Sequence, residues 1–157
     1  MSETFCIYKN KEYSFQVVGE NIKITSESCD YGFEKFVDIM GNIHGNLFSK
    51  IVSKHDVDMI YWLTYKVLYE NEYFEPLLVD KTLLDTNTID LYTSNEIYIK
   101  KLAFVKKEQF IFEKAVSLET IEELVVIKTP ILNFTGQQVN EIRINKVNLR
   151  KYLSNCV

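Results

Sequence analysis

The fold is decided by the stretch Phe48-Ser-Lys-Ile-Val-Ser-Lys-His-Asp-Val-Asp-Met-Ile60, which recurs in outline as Phe112-Glu-Lys-Ala-Val-Ser-Leu-Glu-Thr-Ile-Glu-Glu-Leu124. Phe, Lys, Val and Ser stand at the same spacing in both, and Val57 then aligns with Ile121. Each copy predicts a strand that ends at a serine and leads into a short helix. The serine oxygen would accept hydrogen bonds from the first free amides of that helix.

Earlier segments recur in the same order. The matching pairs are Tyr8–Tyr13 with Tyr69–Tyr73, Ile22–Ser26 with Ile89–Ser94, and Gly32–Lys35 with Ala103–Lys106. The spacing between partners varies, so insertions separate the copies; chance similarity among strands rich in Lys, Tyr and Ile is the alternative. A period of this kind predicts two tandem copies of a ~60-residue unit.

We therefore expect an α+β fold, mostly antiparallel sheet with short helices, in which two β-rich copies share one core. Unit one would cover about 4–66 and unit two about 67–131, followed by a C-terminal strand and helix in 132–157. No linker or change of composition divides the chain, and its length suits one domain over 1–157.

The segment from Val57 to Tyr69 is ambiguous, because its apolar residues fit helical spacing as well as a strand. The matching stretch of the second copy is β-branched and contains Pro130, which would break a helix interior. We therefore predict a strand over 61–69. Further along, the pattern predicts a helix over 95–102 capped by Ser94, and an irregular or helical stretch over 30–45.

Composition and charge exclude several classes of protein. The net charge is −4 and the lysines are scattered, so a nucleic-acid partner, which needs a basic patch, is not expected. No apolar run approaches the about 18 residues that a membrane-spanning helix requires. The acidic start of the chain lacks the basic and apolar regions of a signal peptide, which predicts a cytoplasmic location.

The residues with reactive side chains do not form a recognisable site. Cys6, Cys29 and Cys156 are too few and too widely spaced for a disulfide framework or a zinc site. His44 and His55 lack a second ligand at metal-binding spacing. We predict no catalytic residue, no metal and no cofactor, and hence a protein that is not an enzyme.

An aromatic run with nearby carboxylates is the best candidate binding surface. On a strand, Tyr61 and Tyr65 share one face while Trp62 lies on the other, and one of these faces must be core. Tyr and Trp dominate binding hot spots, although ordinary sheet packing is the favoured explanation of such residues. The predicted partner-binding residues are Tyr61, Trp62, Tyr65, Glu70, Glu72 and Glu75.

The order Tyr-x-Asn-x-Glu-Tyr, Ile-x-Ile-Thr-Ser, Gly-Phe and Phe-x-Lys-x-Val-Ser resembles small immunity-type proteins of Gram-positive bacterial toxin systems, mainly over residues 60–131. The chain departs from that pattern at Glu70 and Ala103, where such sequences usually have Gly. The resemblance implies a cytosolic protein that blocks a cognate toxin domain by covering it. It implies no catalytic residue, because such inhibitors act by occlusion.

The functional expectation is therefore a protein-binding module whose partner could be a basic toxin domain. One alternative is a small-molecule-binding regulator or small enzyme, with a pocket between the repeat units near Cys29, His44 or Asp56. Another alternative is an accessory protein that only self-assembles.

Overall fold

The computed structural model describes residues 3–156, and they form antiparallel strands joined by a few short helices. This confirms the predicted α+β class. The strands are β1 (Glu3–Tyr8), β2 (Lys11–Val18), β3 (Asn21–Ser26), β4 (Glu34–Val37), β5 (Ile43–Ser53), β6 (Met59–Tyr69), β7 (Glu72–Pro76), β8 (Thr88–Thr93), β9 (Val105–Glu108), β10 (Ile111–Ser117), β11 (Glu123–Pro130) and β12 (Asn140–Asn145).

The helices are short. They are α1 (Leu83–Thr86), α2 (Ile97–Leu102) and α3 (Leu149–Ser154), with 3₁₀ turns at Leu118–Thr120, Leu132–Phe134 and Lys146–Asn148. Over the described part of the chain, no helix combines the length and the apolar character needed to cross a membrane.

The described residues group into two compact units. The N-terminal unit contains residues 3–63 and 128–139, and the C-terminal unit contains 64–127 and 140–156. Strands β6 and β11 both run through a boundary between the units, since one boundary falls after Leu63 and another after Ile127.

The two units have the same order of paired strands. In the N-terminal unit the order is β4-β5-β3-β2-β1-β6, and each of these pairings is antiparallel. In the C-terminal unit the order is β9-β10-β8-β7-β6-β11, and β12 adds to β11. Each order begins with a four-residue edge strand, which pairs with the next strand of the chain. That second strand then pairs with the strand that precedes the edge strand in the sequence, β3 in one unit and β8 in the other.

Matching hairpins open the two units. Lys9 and Asn10 connect β1 to β2 with φ of 49° and 64°, and Glu70 and Asn71 connect β6 to β7 with φ of 49° and 63°. Two consecutive residues with positive φ are the mark of a type I′ turn, whose twist matches that of the flanking strands. Asn tolerates the left-handed conformation well, which explains its place at both second positions.

Alternating residues of these strands form the core of each unit. In the N-terminal unit the fully buried members are Cys6, Ile22, Ile24 and Ile60, with Tyr13 and Phe33 packed beside them. In the C-terminal unit the buried strand residues include Val67, Phe74, Ile89, Leu91, Phe112, Val116 and Leu124, and Phe104 and Ile121, just before β9 and β11, are buried as well. The period of two puts every second side chain on the inner face.

A lysine and a tyrosine meet in the same way in each unit. The Lys50 Nζ donates to the Tyr8 hydroxyl at 3.2 Å and lies 5.3 Å from the centre of that ring. The Lys114 Nζ donates to the Tyr69 hydroxyl at 3.0 Å and lies 5.3 Å from the ring centre. Each lysine is the Lys of the repeated Phe-x-Lys-x-Val-Ser motif, which lies on β5 in one unit and on β10 in the other.

An ion pair also recurs, but with its charges exchanged. Lys11 and Asp30 approach to 2.7 Å in the N-terminal unit, whereas Glu72 and Lys101 approach to 2.9 Å in the C-terminal unit. Lys11 and Glu72 occupy the same place, as the residue after the hairpin turn. The position after the turn is therefore basic in the N-terminal unit and acidic in the C-terminal unit, and its partner has the opposite charge in each.

Several local predictions are confirmed and others are wrong. The strand over 61–69 is confirmed as part of β6. Ser117 does cap a short 3₁₀ turn, by accepting from the Glu119 amide. The corresponding segment after Ser53 is a turn without a helix, although the Ser53 oxygen still accepts from the His55 amide at 3.3 Å.

The helix predicted over 95–102 is confirmed as α2, but Ser94 is not its cap. The Asn95 side-chain oxygen accepts from the Ile97 amide at 3.1 Å instead. The stretch 30–45, predicted as helical or irregular, contains β4 and the start of β5. This hairpin was missed because its strand residues lack clear alternation, and only pairing with β3 completes the ladder.

Candidate functional site

A groove crosses the outer face of the C-terminal unit. Strand alternation directs Phe74 and Leu91 inward, so their neighbours Glu75 and Tyr92 face outward. The groove contains two adjoining cavities of about 360 and 380 Å³, which share Tyr92 and Ile111 in their linings. We call this feature the β7–β10 groove.

The two cavities differ in their remaining walls. The first is also lined by Lys66, Tyr73, Phe74, Glu75, Thr93, Ser94 and Phe110. The second is also lined by Leu77, Lys107, Glu108 and Glu113. Each therefore combines an apolar or aromatic surface with a small number of charged groups, which is the usual make-up of a binding site.

Three side chains stand in a row across the floor of the groove. Tyr92 on β8 is opposite Glu75 on β7 and opposite Glu113 on β10. The Tyr92 hydroxyl donates to the Glu75 carboxylate at 2.5 Å. This hydrogen bond, together with partial burial, raises the pKa of Tyr92 to about 12, so the phenol stays neutral at physiological pH.

Phe110 stands at the edge of the first cavity in an unusual conformation. It is the second residue of the turn between β9 and β10, with φ of 62°, and its side chain is 69% exposed. Gly or Asn is favoured at such a turn position, because other side chains are strained there. A large aromatic residue thus occupies a strained site without being buried in its own unit.

At one end of the groove, Tyr73 takes part in a hydrogen-bond network with the oppositely charged side chains of Glu123 and Arg143. The Tyr73 hydroxyl donates to Glu123 at 2.9 Å, and Arg143 donates to the same carboxylate at 2.8 Å and to the Tyr73 oxygen at 3.1 Å. The hydrogen bonds that Arg143 donates, first that to Tyr73 and then that to Glu123, raise the pKa of Arg143. Tyr73 is thereby held in position at the wall of the first cavity.

The predicted aromatic residues on β6 are distributed between core and surface. Tyr61 is 2% exposed, packs 6.0 Å from the Phe5 ring and donates its hydroxyl to Glu12. Its side chain therefore offers no surface to a partner. Trp62 is 42% exposed on the opposite face of the strand, and Tyr65 is half-buried, with its hydroxyl 3.4 Å from that of Tyr152.

The predicted carboxylates also have different surroundings. Glu70 is exposed at the tip of the β6–β7 hairpin, while Glu72 is half-buried in its ion pair with Lys101. This hydrogen bond from Lys101 is the main cause of the lowered pKa of Glu72. Of the six predicted residues, Glu75 is the one whose side chain lines the β7–β10 groove.

The groove residues that the sequence did not single out include Tyr92, Phe110, Ile111 and Glu113. Alternation in β8 contained a signal, since Ile89 and Leu91 are apolar and Tyr92 falls on the other face. Nothing comparable marks Phe110, because the left-handed conformation of a residue is not visible in its side-chain type.

The histidines and cysteines are dispersed. His44 lies on β5, and its Nε2 is 3.0 Å from the Asp38 carboxylate. Cys6 is fully buried, and this burial raises the pKa of its thiol to about 12. Within residues 3–156, no group of three or more His, Cys, Asp or Glu side chains is placed to hold a metal ion.

Comparison with known proteins yields one informative match. A protein-family model matches residues 1–133, which is well over half of the chain and extends just past the end of β11. None of the curated proteins and none of the solved structures matches. The chain therefore belongs to the family described as Uncharacterised conserved protein UCP033725.

Proposed function

We propose that this chain is a non-catalytic protein-binding module that acts in the cytoplasm and contacts its partner through the β7–β10 groove. In this proposal it is an immunity factor that covers the active site of a cognate toxin. The observation that carries the proposal is Phe110, an exposed aromatic residue held in a strained backbone conformation.

The energetics of Phe110 favour a role outside the folding of the chain. The left-handed conformation costs about 1–2 kcal/mol for a residue with a Cβ atom. A side chain that is 69% exposed recovers little of this cost by burial within its own unit. Local strain of this kind is concentrated at binding and catalytic sites. A partner that buries the ring would supply the missing stabilisation.

The groove has the composition of a protein interface. Its lining combines aromatic and aliphatic residues with charged groups, and typical interfaces contain both kinds. Three carboxylates, from Glu75, Glu108 and Glu113, outnumber the lysines Lys66 and Lys107. An acidic excess speeds the encounter with a basic partner and disfavours an acidic one.

We also propose that the two units arose by duplication of one β-rich unit, and that both belong to a single domain with one core. The shared strand order, the two type I′ turns and the recurring Lys–Tyr contact support the duplication. In this view only the C-terminal copy acquired the aromatic groove, and the N-terminal copy kept a structural role.

The decisive variant is Phe110→Gly. It removes the ring and relieves the backbone, so we expect the free energy of unfolding to rise by about 1 kcal/mol. Affinity for the partner would fall at least tenfold, the size of effect that marks a binding hot spot. The matched control is Tyr31→Ala, because Tyr31 is 93% exposed and lies in the N-terminal unit.

The partner for this test is a basic toxin domain, to be sought among the products of the genes that neighbour the gene for this chain. Co-expression is expected to restore growth, calorimetry with the purified domain gives the affinity, and urea denaturation gives the stability. Binding that Phe110→Gly leaves unchanged would place the interface elsewhere. Absence of any complex with that domain would remove the immunity proposal itself.

A small-molecule-binding regulator is the second candidate, favoured by the cavity volumes of about 360 and 380 Å³. Small-molecule sites start at about 300 Å³. A ligand confined to the second cavity would not touch Phe110, which does not line it. Retained ligand affinity in the Phe110→Gly variant, with loss on substitution of Leu77, would therefore favour this candidate.

A further inference from the structure

The β7–β10 groove has chemistry that selects among protein partners, and this inference rests on the proposed function. We propose that the groove binds an extended segment of a basic partner protein, with an arginine guanidinium stacked on Tyr92 between Glu75 and Glu113. The two adjoining cavities, the Tyr92 ring and the charge of the walls each point to this occupant.

The shape of the groove suits an extended chain. Tyr92 and Ile111 separate two cavities of similar size, so they form a low ridge with a depression on either side. Side chains i and i+2 of an extended segment point in the same direction, roughly 7 Å apart. Such a pair could enter neighbouring depressions while the intervening backbone crosses the ridge.

The charge of the groove selects a cation. Among residues 3–156, no lysine or arginine forms an ion pair with Glu75 or Glu113. The Glu75 carboxylate accepts one hydrogen bond, from Tyr92, which leaves further acceptor capacity on its two oxygens. The raised pKa of Tyr92 keeps that ring a neutral hydrogen-bond donor to Glu75.

The geometry of the row favours arginine over lysine. Tyr92 is directly opposite both glutamates in the strand register, so a planar group lying on its ring has a carboxylate on either side. A guanidinium stacks on aromatic faces and presents donors along several edges, whereas an ammonium is a compact point charge. The alkyl part of the arginine would pack on Ile111 and Leu77, which line the second cavity beside Tyr92.

The test uses the full chain, labelled with ¹⁵N, and three blocked tripeptides whose central residue is arginine, lysine or citrulline. Citrulline has nearly the shape of arginine but no charge. We expect the arginine peptide to shift the amide signals of Tyr92, Ile111 and Glu113, with a Kd at least threefold lower than that of the lysine peptide. The citrulline peptide is expected to produce no saturable shift.

Two variants localise the effect. Glu75→Gln combined with Glu113→Gln keeps the size of both side chains and is expected to weaken binding of the arginine peptide at least tenfold. Glu20→Gln is the matched control, because Glu20 is an exposed carboxylate in the N-terminal unit, and it is expected to change nothing. Amide spectra of each variant check that the fold is intact.

The outcomes separate this inference from the proposed function. Equal binding of the citrulline peptide, shifts confined to another surface, or no binding of the arginine peptide would each overturn arginine recognition. A toxin complex that depends on Phe110 would still stand in those cases. Conversely, arginine binding in the groove without any toxin complex would support the groove chemistry and reject the immunity role.

Discussion

The two units share a strand order but differ at the hairpin tips that follow their edge strands. In the C-terminal unit β9 and β10 are joined by residues 109–110, and the turn presents Phe110. In the N-terminal unit β4 and β5 are joined by residues 38–42, and the longer tip exposes Ile39 and Met40. Equivalent places in a common framework thus present different surfaces.

The longer tip is held by one carboxylate. Asp38 accepts from the Met40 and Asn42 amides at 2.9 Å each and lies beside His44. Its hydrogen bond with His44, followed by that from the Asn42 amide, lowers the pKa of Asp38 to about 2. Buried strand positions are thus similar in the two units, whereas loop positions, which carry few packing constraints, differ.

The largest expected difference between the units comes from their matching core phenylalanines. Phe104 is 2% exposed and packs on Phe74 at 5.0 Å and Tyr98 at 5.9 Å, whereas Phe33 is 8% exposed and stacks on Tyr13 at 5.4 Å. Replacing a core Phe by Ala costs about 3–5 kcal/mol. We expect the loss of unfolding free energy to lie near the upper end of this range for Phe104→Ala and near the lower end for Phe33→Ala.

Urea denaturation followed by far-UV circular dichroism measures both losses. Similar folded spectra before denaturant is added are the control. A larger loss for Phe33→Ala would show that the three-ring cluster of the C-terminal unit contributes less than its contacts indicate.

A smaller effect on the free energy of unfolding is expected from exchanging Gly and Ala at two matching positions, Gly32 in the N-terminal unit and Ala103 in the C-terminal unit. Both have positive φ, 81° and 59°, so alanine is strained at either position. We expect Ala103→Gly to raise the free energy of unfolding by about 1 kcal/mol and Gly32→Ala to lower it by a similar amount.

A Cβ atom on residue 32 would also lie 2.9 Å from the Lys50 Nζ, which can move aside because it ends a flexible side chain. Thermal denaturation of the two single variants and of the double variant gives the comparison. Opposite signs that cancel in the double variant are expected, and equal signs would contradict the backbone explanation.

The smallest effect is expected from the charge-exchanged ion pairs. The hydrogen bond from Lys11 is the main cause of the lowered pKa of Asp30, and Lys101 has the same effect on Glu72. A carboxyl group whose pKa is lowered by folding stabilises the protein above its unfolded pKa, and this contribution disappears as the pH falls through the folded pKa. Asp30→Asn and Glu72→Gln are therefore expected to reduce stability at pH 7 but not in strong acid.

Exchanging the charges tests whether the two arrangements are equivalent. Lys11→Glu alone is expected to destabilise the fold, and adding Asp30→Lys is expected to recover most of the loss, because the pair then copies Glu72 and Lys101. Melting temperatures between pH 2 and pH 7 check both statements. A double variant no better than Lys11→Glu would mean that the Tyr13 hydrogen bond to Asp30, at 2.9 Å, matters more than the ion pair.

Local patterns in the amino-acid sequence predict the fold class and individual strands such as the one over 61–69. The signals are local: they are the alternating apolar residues, the Asn-containing turns and Pro130. Each favours a backbone conformation through residues that are close together in the sequence. Other features follow from the tertiary structure alone. Tyr61 is core while Trp62 is exposed, and 34–37 is an edge strand. Glu75, Tyr92 and Glu113 form a row across three paired strands. These outcomes depend on pairing between strands distant in the sequence, which no local pattern encodes, and the strain at Phe110 becomes visible only when its backbone is in place.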